Sequence, residues 1–442
     1  KYKDKKFKIK SINGNKITLS EKIDPGILKQ KPKWTLAKDD VSPQDIFRLQ
    51  DGSADDRKTI AVYCIQDCEL CNNLIDKLKI VTNNVGMANV CCVPLSYLFL
   101  RGQGVKIFSL VSKECAMNNT LIPVIKYENE EVNIDDKAYN DNKEVMFEYG
   151  EDADIVTVDN DGGYEGAIVL KPNPGIYLKE PVTVLDYASL YPSSMISENL
   201  SHDSIILEDN EDSKKYLGDD GITELDKIGY DHVDVTHDVY KWINPNIKSK
   251  GKEKVGIKTC RFAQCRDGSK SIIPDILRKL LKARKDTRKK IVFKTIVYND
   301  PEDSTEKSFS GLYDEKDGVH TISTLSGEKV TVNDANKISI KDTYNDFEKT
   351  VFDGLQLAFK ITANSLYGQI GARTSPIYLK DIAASTTATG RKLLYLAKDK
   401  TKEYFKDADI VYGDTDSIFI NFNPKDEHGK PLENREALKK SI

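Results

Sequence analysis

The sequence predicts an α+β fold, and three observations predict it. Short runs of apolar β-formers flank tight turns, most clearly Val411–Ile420 around Asp414-Thr415-Asp416. Two long stretches, Pro274–Val292 and Asp346–Gly368, have amphipathic helical periodicity. Between them, residues near 293–344 change character and carry short strand-like runs, Val319–Thr324, Lys329–Val332 and Ile338–Ile340, with a turn at Gly327. Hairpins beside separate long helices make an α+β architecture.

Length and composition bound the rest. At 442 residues, 39% hydrophobic and 31% charged, the chain has room for about three domains and a sizeable core, and it reads as soluble and globular rather than disordered. A net charge of −4 does not announce a nucleic-acid partner. The charge is uneven, since Arg278–Lys290 carries eight basic residues against one aspartate, but such a run is as readily a solvated face. The eight cysteines form no pair of C-x-x-C clusters. Cys64, Cys68 and Cys71 fall at helical spacing and are expected to be buried free thiols rather than zinc ligands. With no signal peptide, a reducing intracellular compartment is expected. The longest apolar run, Cys91–Leu100, is about half the length that crosses a bilayer, so no membrane partner is expected. The sequence begins at Lys1 without methionine and stops soon after the acidic turn, and so reads as a fragment.

In chain order, Phe7–Leu19 is a hairpin around Asn13-Gly14. Asp55–Ile80 is helical, and within it Tyr63 and Asp67 share a face, able to bind a metal or orient a water but equally a surface pair. Asn118–Asp161 is polar and punctuated, a connector. Gly162–Ala167 precedes a strand at Ile168–Leu170, and its small residues would let another backbone approach. Val182–Leu185 reads as a buried strand ending at Asp186, with Pro192-Ser193 opening a helix through Leu200. A strand-end carboxylate close to free N–H groups suits a cation and a phosphate, or simply caps the helix. On the first long helix, Leu277, Leu281, Arg284 and Arg288 form one stripe, apolar at its root and cationic at its tip. That is what a phosphate-gripping lever needs. On the second, Lys360, Asn364 and Tyr367 occupy a narrow arc opposite Leu355, Phe359 and Leu366.

The acidic turn organises these elements. Taken alone, Asp414-Thr415-Asp416 is an acidic hairpin turn. With Asp186 it makes three carboxylates from distant segments, whose crowding is costly unless a cation lies between them. Hard carboxylate oxygens suit Mg²⁺, and two such ions about 3.5–4 Å apart can activate a hydroxyl and stabilise a leaving pyrophosphate. Lys360, Arg284 and Arg288 would neutralise a triphosphate, so the implied chemistry is in-line nucleotidyl transfer.

Three stretches carry a resemblance. Asp186-Tyr-Ala-Ser-Leu-Tyr-Pro-Ser193, Lys360-Ile-Thr-Ala-Asn-Ser-Leu-Tyr-Gly368 and Tyr412-Gly-Asp-Thr-Asp-Ser417 resemble motifs A, B and C of family B DNA polymerases, in that order. Arg101-Gly-Gln-Gly104, Ser197-Glu-Asn-Leu-Ser-His202 and the segment near 293–344 are similar to the delta-like branch found in large nucleocytoplasmic (giant) DNA viruses. The resemblance implies an antiparallel palm sheet with inserted helical fingers. It implies that Asp186 and Asp416 hold two Mg²⁺ ions with the carbonyl of Tyr187, and that Asp414 is less demanding. By the same resemblance Ser189 and Leu190 offer N–H groups to the triphosphate, Tyr191 excludes a 2′-hydroxyl, and Lys360, Asn364, Arg284 and Arg288 grip the nucleotide. Tyr367 and Gly368 lie beside the nascent base pair and DNA, and Tyr164 and Gly166 belong to a motif that touches the template strand.

Tyr63 and Asp67 resemble the third motif of the family's 3′–5′ exonuclease, but the first two motifs do not precede them, and the thumb expected after motif C is missing. The implied organisation is an exonuclease remnant at 1–85, a connector and N-terminal palm at 86–180, palm at 181–270, fingers at 271–370 with the β-rich insertion, and palm at 371–442. Expected partners are primer–template DNA and dNTPs, with a sliding clamp as a candidate addition, in the host nucleus or a cytoplasmic viral factory. The rival readings are a catalytically silent polymerase-like subunit that binds DNA or scaffolds a replisome, and a stand-alone exonuclease. Intact carboxylates weigh against the first, and an isolated Asp67 against the second.

Overall fold

The computed structural model describes residues 9–13, 16–19, 22, 41–122, 163–178, 181–208, 211–244, 250–301 and 305–441. Most of the connector expected over 118–161 lies outside them, as do Gly162 and Gly14. The chain divides into two compact units, Lys1–Val81 and Thr82–Ile442.

In the first unit, β1 (Ile9–Asn13) and β2 (Lys16–Leu19) pair antiparallel with Asn13 opposite Lys16, the hairpin that Asn13-Gly14 predicts. Helices α1 (Pro43–Gln50) and α2 (Ala54–Lys77) each begin with a capping box, Ser42 with Asp45 and Ser53 with Asp56. The expected burial of Cys64, Cys68 and Cys71 is not found: all three thiols are free and exposed. Apolar residues of α2 are spread round its circumference, and Val62, Ile65, Leu70 and Leu74 are exposed as well, so no single stripe drives one face inward.

Among the described residues, the second unit is built from helices and three antiparallel sheets. Helices α3 (Ile80–Cys91), which starts at the unit boundary, α4 (Leu95–Leu100) and α5 (Gln103–Met117) lead into it. Then come β3 (Val169–Leu170), β4 (Val182–Asp186), α6 (Leu190–Ser197), β5 (Ile205–Ile206), α7 (Glu211–Lys214) and α8 (Gly218–Lys227). A long hairpin follows, β6 (Tyr230–Trp242) and β7 (Lys252–Cys265), then α9 (Ile272–Ile291). Strands β8 (Lys294–Asn299), β9 (Glu306–Lys316), β10 (Val319–Ser323), β11 (Lys329–Asn333) and β12 (Lys337–Asp342) separate α9 from α10 (Asp346–Ile370). The chain ends through α11 (Lys380–Tyr404), β13 (Asp409–Asp414), β14 (Ser417–Asn421) and α12 (Asn434–Ser441).

The sheet that matters for function has the order β3-β13-β14-β4. Its two central strands come from the Val411–Ile420 stretch. Ile418 and Ile420 are buried beneath it with Leu394 of α11 and Ala408, each fully buried large aliphatic contributing roughly 1.5–3 kcal/mol. Strand β4 departs from its reading as a buried strand. It is an edge among the described strands, and Val184 and Leu185 are 48% and 49% exposed. The β-rich insertion is a five-stranded sheet, β11-β10-β9-β8-β12, with its own core of Ile296, Ile322 and Val332. The largest core joins α5, α6, the β6–β7 hairpin, α9, α10 and the start of α11 around Met195, Phe262, Leu277 and Leu366. Among the described residues, no helix is long and apolar enough to cross a membrane.

Candidate active site

Strand register brings the three carboxylates to one end of the sheet. Asp414, the last residue of β13, lies opposite Ser417, and Ser417 lies opposite Asp186, the last residue of β4. Neighbouring strands are about 4.8 Å apart, so Asp186 and Asp414 flank the turn that carries Asp416. Main-chain bonds lock it: Tyr187 donates its N–H to the Asp416 carbonyl at 2.8 Å, and Asp416 donates its own to the Asp414 carbonyl at 2.6 Å. Between the two aspartates, Thr415 has φ 54, a left-handed conformation uncommon for a β-branched residue. Its N–H donates to Ile168 O at 3.0 Å, which ties the strained turn to the segment leading into β3. Gly413 lets β3 come this close, because a Cβ there would stand 2.7 Å from Leu170 Cδ1.

The carboxylates differ in surroundings. Asp414 accepts from Tyr412 Oη at 3.0 Å and from Thr415 Oγ1 at 2.8 Å. Asp416 is held above the ordinary carboxylate range, first by burial and then by the negative charge of Asp186, with Asp414 adding less. Asp186 and Asp416 therefore repel one another, and among the described residues no cation is paired with either. The donor set is all hard oxygen and electrostatically short of positive charge, which fits a divalent cation.

A column of aromatics continues the site. Ser189, at the start of α6, is left-handed with φ 54, and the next residue, Leu190, is buried. Tyr191 packs its ring on that of Tyr367 at 4.6 Å and 40°, and the Tyr367 hydroxyl lies 3.4 Å from that of Tyr164. Burial raises the pKa of both Tyr191 and Tyr367, so both phenols stay neutral. Helix α10 carries Lys360 and Asn364, both exposed, on the stripe that starts from Tyr367. Lys360 stands about 10 Å along the axis from Tyr367. On α9, Arg284 donates to Gln356 of α10 at 3.4 Å, one turn before Lys360, while Arg288 is exposed one turn further on. Gly368 is exposed, and a Cβ there would meet nothing within 4 Å. Among the described residues, no hydrogen bond or ion pair joins these cations to the carboxylates, and the Tyr191–Tyr367 contact joins the helices α6 and α10 between them. Tyr63 and Asp67 belong to the other unit, on α2, with Asp67 exposed.

Helix α11 supplies residues that sequence reasoning missed. Arg391 Nη1 donates to the carbonyls of Glu165 and Gly166 at 2.8 Å each, and Thr387 Oγ1 donates to Glu165 O at 2.7 Å. Tyr187 donates its hydroxyl to Leu393 O at 3.0 Å. Gly390 lies against the aromatic column, where a Cβ would stand 3.0 Å from Tyr191 Cε1 and 3.2 Å from Leu190 Cδ2. The available signal was a glycine in mid-helix, a costly choice, set after the small-residue run Ala383–Thr389 and before an arginine.

A model of DNA polymerase family B matches residues 93–300 and 313–439. The DNA polymerase of Pyramimonas orientalis virus is 49% identical over 437 residues, covering 99% of this chain and 32% of that protein. The DNA polymerase of Phaeocystis pouchetii virus is 39% identical, covering 99% of this chain and 36% of its own length. The DNA polymerase delta catalytic subunit of Dictyostelium discoideum is 32% identical, covering 88% and 25% respectively. The chain thus spans about a quarter to a third of the length of these relatives.

Proposed function

Because the chain belongs to DNA polymerase family B, we propose that it carries the nucleotidyl-transfer centre of a DNA-directed DNA polymerase that extends a primer 3′-hydroxyl with dNTPs. The observation that supports this reading is the register that sets Asp186 and Asp414 on either side of Ser417, next to the turn that carries Asp416. A silent subunit would have no reason to hold two uncompensated carboxylates there. Two Mg²⁺ ions held by Asp186, Asp416 and the carbonyl of Tyr187 would lower the pKa of the 3′-hydroxyl and neutralise the leaving pyrophosphate.

The chain's own residues do the rest. Asp186 and Asp416 hold negative charge where the reacting oxygens gather. The N–H groups of Ser189 and Leu190, at the start of α6, face the triphosphate, as helix starts favour. Lys360, Arg284 and Arg288 meet the β and γ phosphates, with Asn364 beside them, so that closure of α9 and α10 brings them toward the carboxylates. The 3′-oxygen then bonds to the α-phosphorus as the bond to pyrophosphate breaks. Tyr191 and Tyr367 form the floor beneath sugar and base. Arg391 and Thr387 position the Tyr164–Gly166 segment that the template follows. Likeness to viral polymerases supports a role in viral genome replication, in the host nucleus or a cytoplasmic factory.

Primer extension by the full-length protein on a defined primer–template tests this reading. Template-directed, dNTP-dependent extension that Asp186→Asn abolishes is the expected result, and DNA binding without extension would overturn it.

Two further outcomes follow from the aromatic floor. Tyr191→Ala should raise ribonucleotide incorporation by one to two orders of magnitude with a smaller effect on dNTPs, because the ring supplies the bulk that a 2′-hydroxyl meets. Single-nucleotide kinetics with matched rNTP and dNTP measures the ratio, and an unchanged ratio would move sugar discrimination elsewhere. Gly390→Val pushes on the same ring from behind. Overpacking of about 1–3 kcal/mol should raise the dNTP KM roughly tenfold, whereas Gly256→Ala on β7, where a Cβ meets nothing within 4 Å, should leave it unchanged.

A further inference from the structure

One cluster of ligating side chains lies apart from the carboxylate turn and takes no part in the chemistry above. On the β6–β7 hairpin, His237 is paired with Lys258, which puts His237, Lys258 and Cys260 on one face of the sheet. Helix α11 packs against that face and brings Asp381 in its first turn. His237 and Cys260 are both 4% exposed. Cys260 Sγ is 3.6 Å from His237 Nε2, His237 Nε2 is 3.8 Å from Asp381 Oδ1, and all three ligand atoms lie within 4.8 Å of one another. It is the one such triad among the described residues.

We propose that His237, Cys260 and Asp381 bind a structural zinc ion. Zinc bonds of about 2.3 Å to sulfur and 2.0–2.2 Å to nitrogen and oxygen, arranged as a tetrahedron, put ligand atoms roughly 3.4–3.6 Å apart. The sulfur–nitrogen pair is already there at 3.6 Å, the nitrogen–oxygen pair at 3.8 Å has a few tenths of an ångström to close, and the sulfur–oxygen pair, within 4.8 Å, closes by up to about 1.2 Å. A thiolate, an imidazole and a carboxylate together select zinc over the harder Mg²⁺.

The surroundings are those of a ligand set. His237 Nδ1 faces the Asp238 carbonyl at 3.4 Å, which assigns the ring proton to Nδ1 and leaves the Nε2 lone pair turned to Cys260 and Asp381. Lys258 Nζ donates to Asp381 Oδ2 at 3.1 Å and so leaves Oδ1 for the metal. Ser385 lies one turn after Asp381 on α11, with its hydroxyl fully buried beside the Cys260 thiol. Thiolate and carboxylate offset the ion's two charges, the half-exposed Lys258 ammonium on Asp381 adds one more, and the thiol proton leaves to solvent as the metal enters. Entry is from the side of Asp381 and Lys258, the more exposed members.

The consequence is mechanical. The ion would pin the long hairpin to the start of α11, about 13 Å along the axis from Gly390, and so fix the helix that backs Tyr191.

The full-length protein, stripped with chelator and reconstituted with stoichiometric Zn²⁺, is assayed for metal by mass spectrometry, and with Co²⁺ for a sulfur-to-cobalt charge-transfer band. The expected result is stoichiometric zinc, a thiolate–cobalt band and a Tm that falls by several degrees on chelation. Cys260→Ser and His237→Gln should lose all three. Asp381→Asn, at a more exposed position, should fold and weaken zinc binding by roughly 10–100-fold. Neither the combined Cys64→Ser, Cys68→Ser and Cys71→Ser variant nor Asp416→Asn should lose the metal. Zinc far below one equivalent in the wild-type protein, no cobalt–thiolate band, or zinc kept in Cys260→Ser would each overturn the proposal, leaving the cluster as hydrogen-bonded packing.

Discussion

Asp416→Asn should lower kcat for primer extension by roughly 10³-fold or more, with primer–template affinity almost unchanged, and should at the same time raise the Tm of the metal-free protein at neutral pH. Both effects come from one arrangement. Burial and Asp186 hold the Asp416 carboxyl above its ordinary range, so the fold resists its ionisation. The sign follows from linkage: a group whose folded pKa is raised contributes stability that is present below the ordinary carboxylate pKa and is lost as pH rises through the elevated value. Asparagine removes that penalty. In chelator the gain in Tm should therefore be seen at pH 7 and vanish near pH 3, where wild-type Asp416 is protonated. Asp414→Asn should be milder in both respects, because Asp414 already accepts from Tyr412 and Thr415. Stopped-flow extension and thermal melts across pH measure the two effects. A variant that kept its turnover would remove Asp416 from the metal site, and one that lost turnover but gained no stability would show the repulsion to be compensated.

Lys360→Ala should raise the dNTP KM by roughly 10–100-fold, since a charge-assisted hydrogen bond to phosphate is worth about 1.5–3 kcal/mol and each ~1.4 kcal/mol is a factor of ten. Lys360 is exposed and stands on the arc that starts from the Tyr191–Tyr367 contact, so nothing has to be broken to present it. Arg288→Ala, also exposed, should cost about tenfold. Arg284→Ala should cost less than either if its bond to Gln356 persists during closure. Because a triphosphate carries about four negative charges, adding salt should weaken dNTP binding more in wild type than in Lys360→Ala. Primer–template affinity is the control. A loss of DNA binding with the dNTP KM untouched would make α9 and α10 a DNA-facing surface.

Much of this was legible in the sequence where local rules and the fold agree. The strand–turn–strand of Val411–Ile420 carried its own turn signal, and the stripes of α9 and α10 showed in their periodicity. Tyr367 meeting Tyr191 could be anticipated only as two residues on separate faces, since the contact depends on how α6 and α10 pack. Strand β4 misled because an edge strand and a central one have the same apolar text when the edge's neighbour is unknown. The three cysteines of α2 misled because shared helical spacing says which residues lie on one face, not whether anything covers it. Gly390, Arg391 and the triad of His237, Cys260 and Asp381 were silent because each acquires meaning only from a partner that tertiary structure supplies.

The strand pairing described above also has a bearing on how the chain acquires its shape. The β4–β14 ladder joins Asp186 to Ser417, segments about 230 residues apart, so closing it is among the most entropically demanding contacts in the molecule. The five-stranded insertion, by contrast, pairs strands within about 50 residues of one another, with β10 joined to β9 and β11 by short turns and β12 returning to β8. During synthesis the α9–β12–α10 block can be complete while β4 still lacks its partner, and Asp186 is then an ordinary solvated carboxylate with no second charge to oppose it. The electrostatic cost of the Asp186–Asp416 pair is therefore incurred at the final closure of the sheet, after the rest of the core has formed to support it.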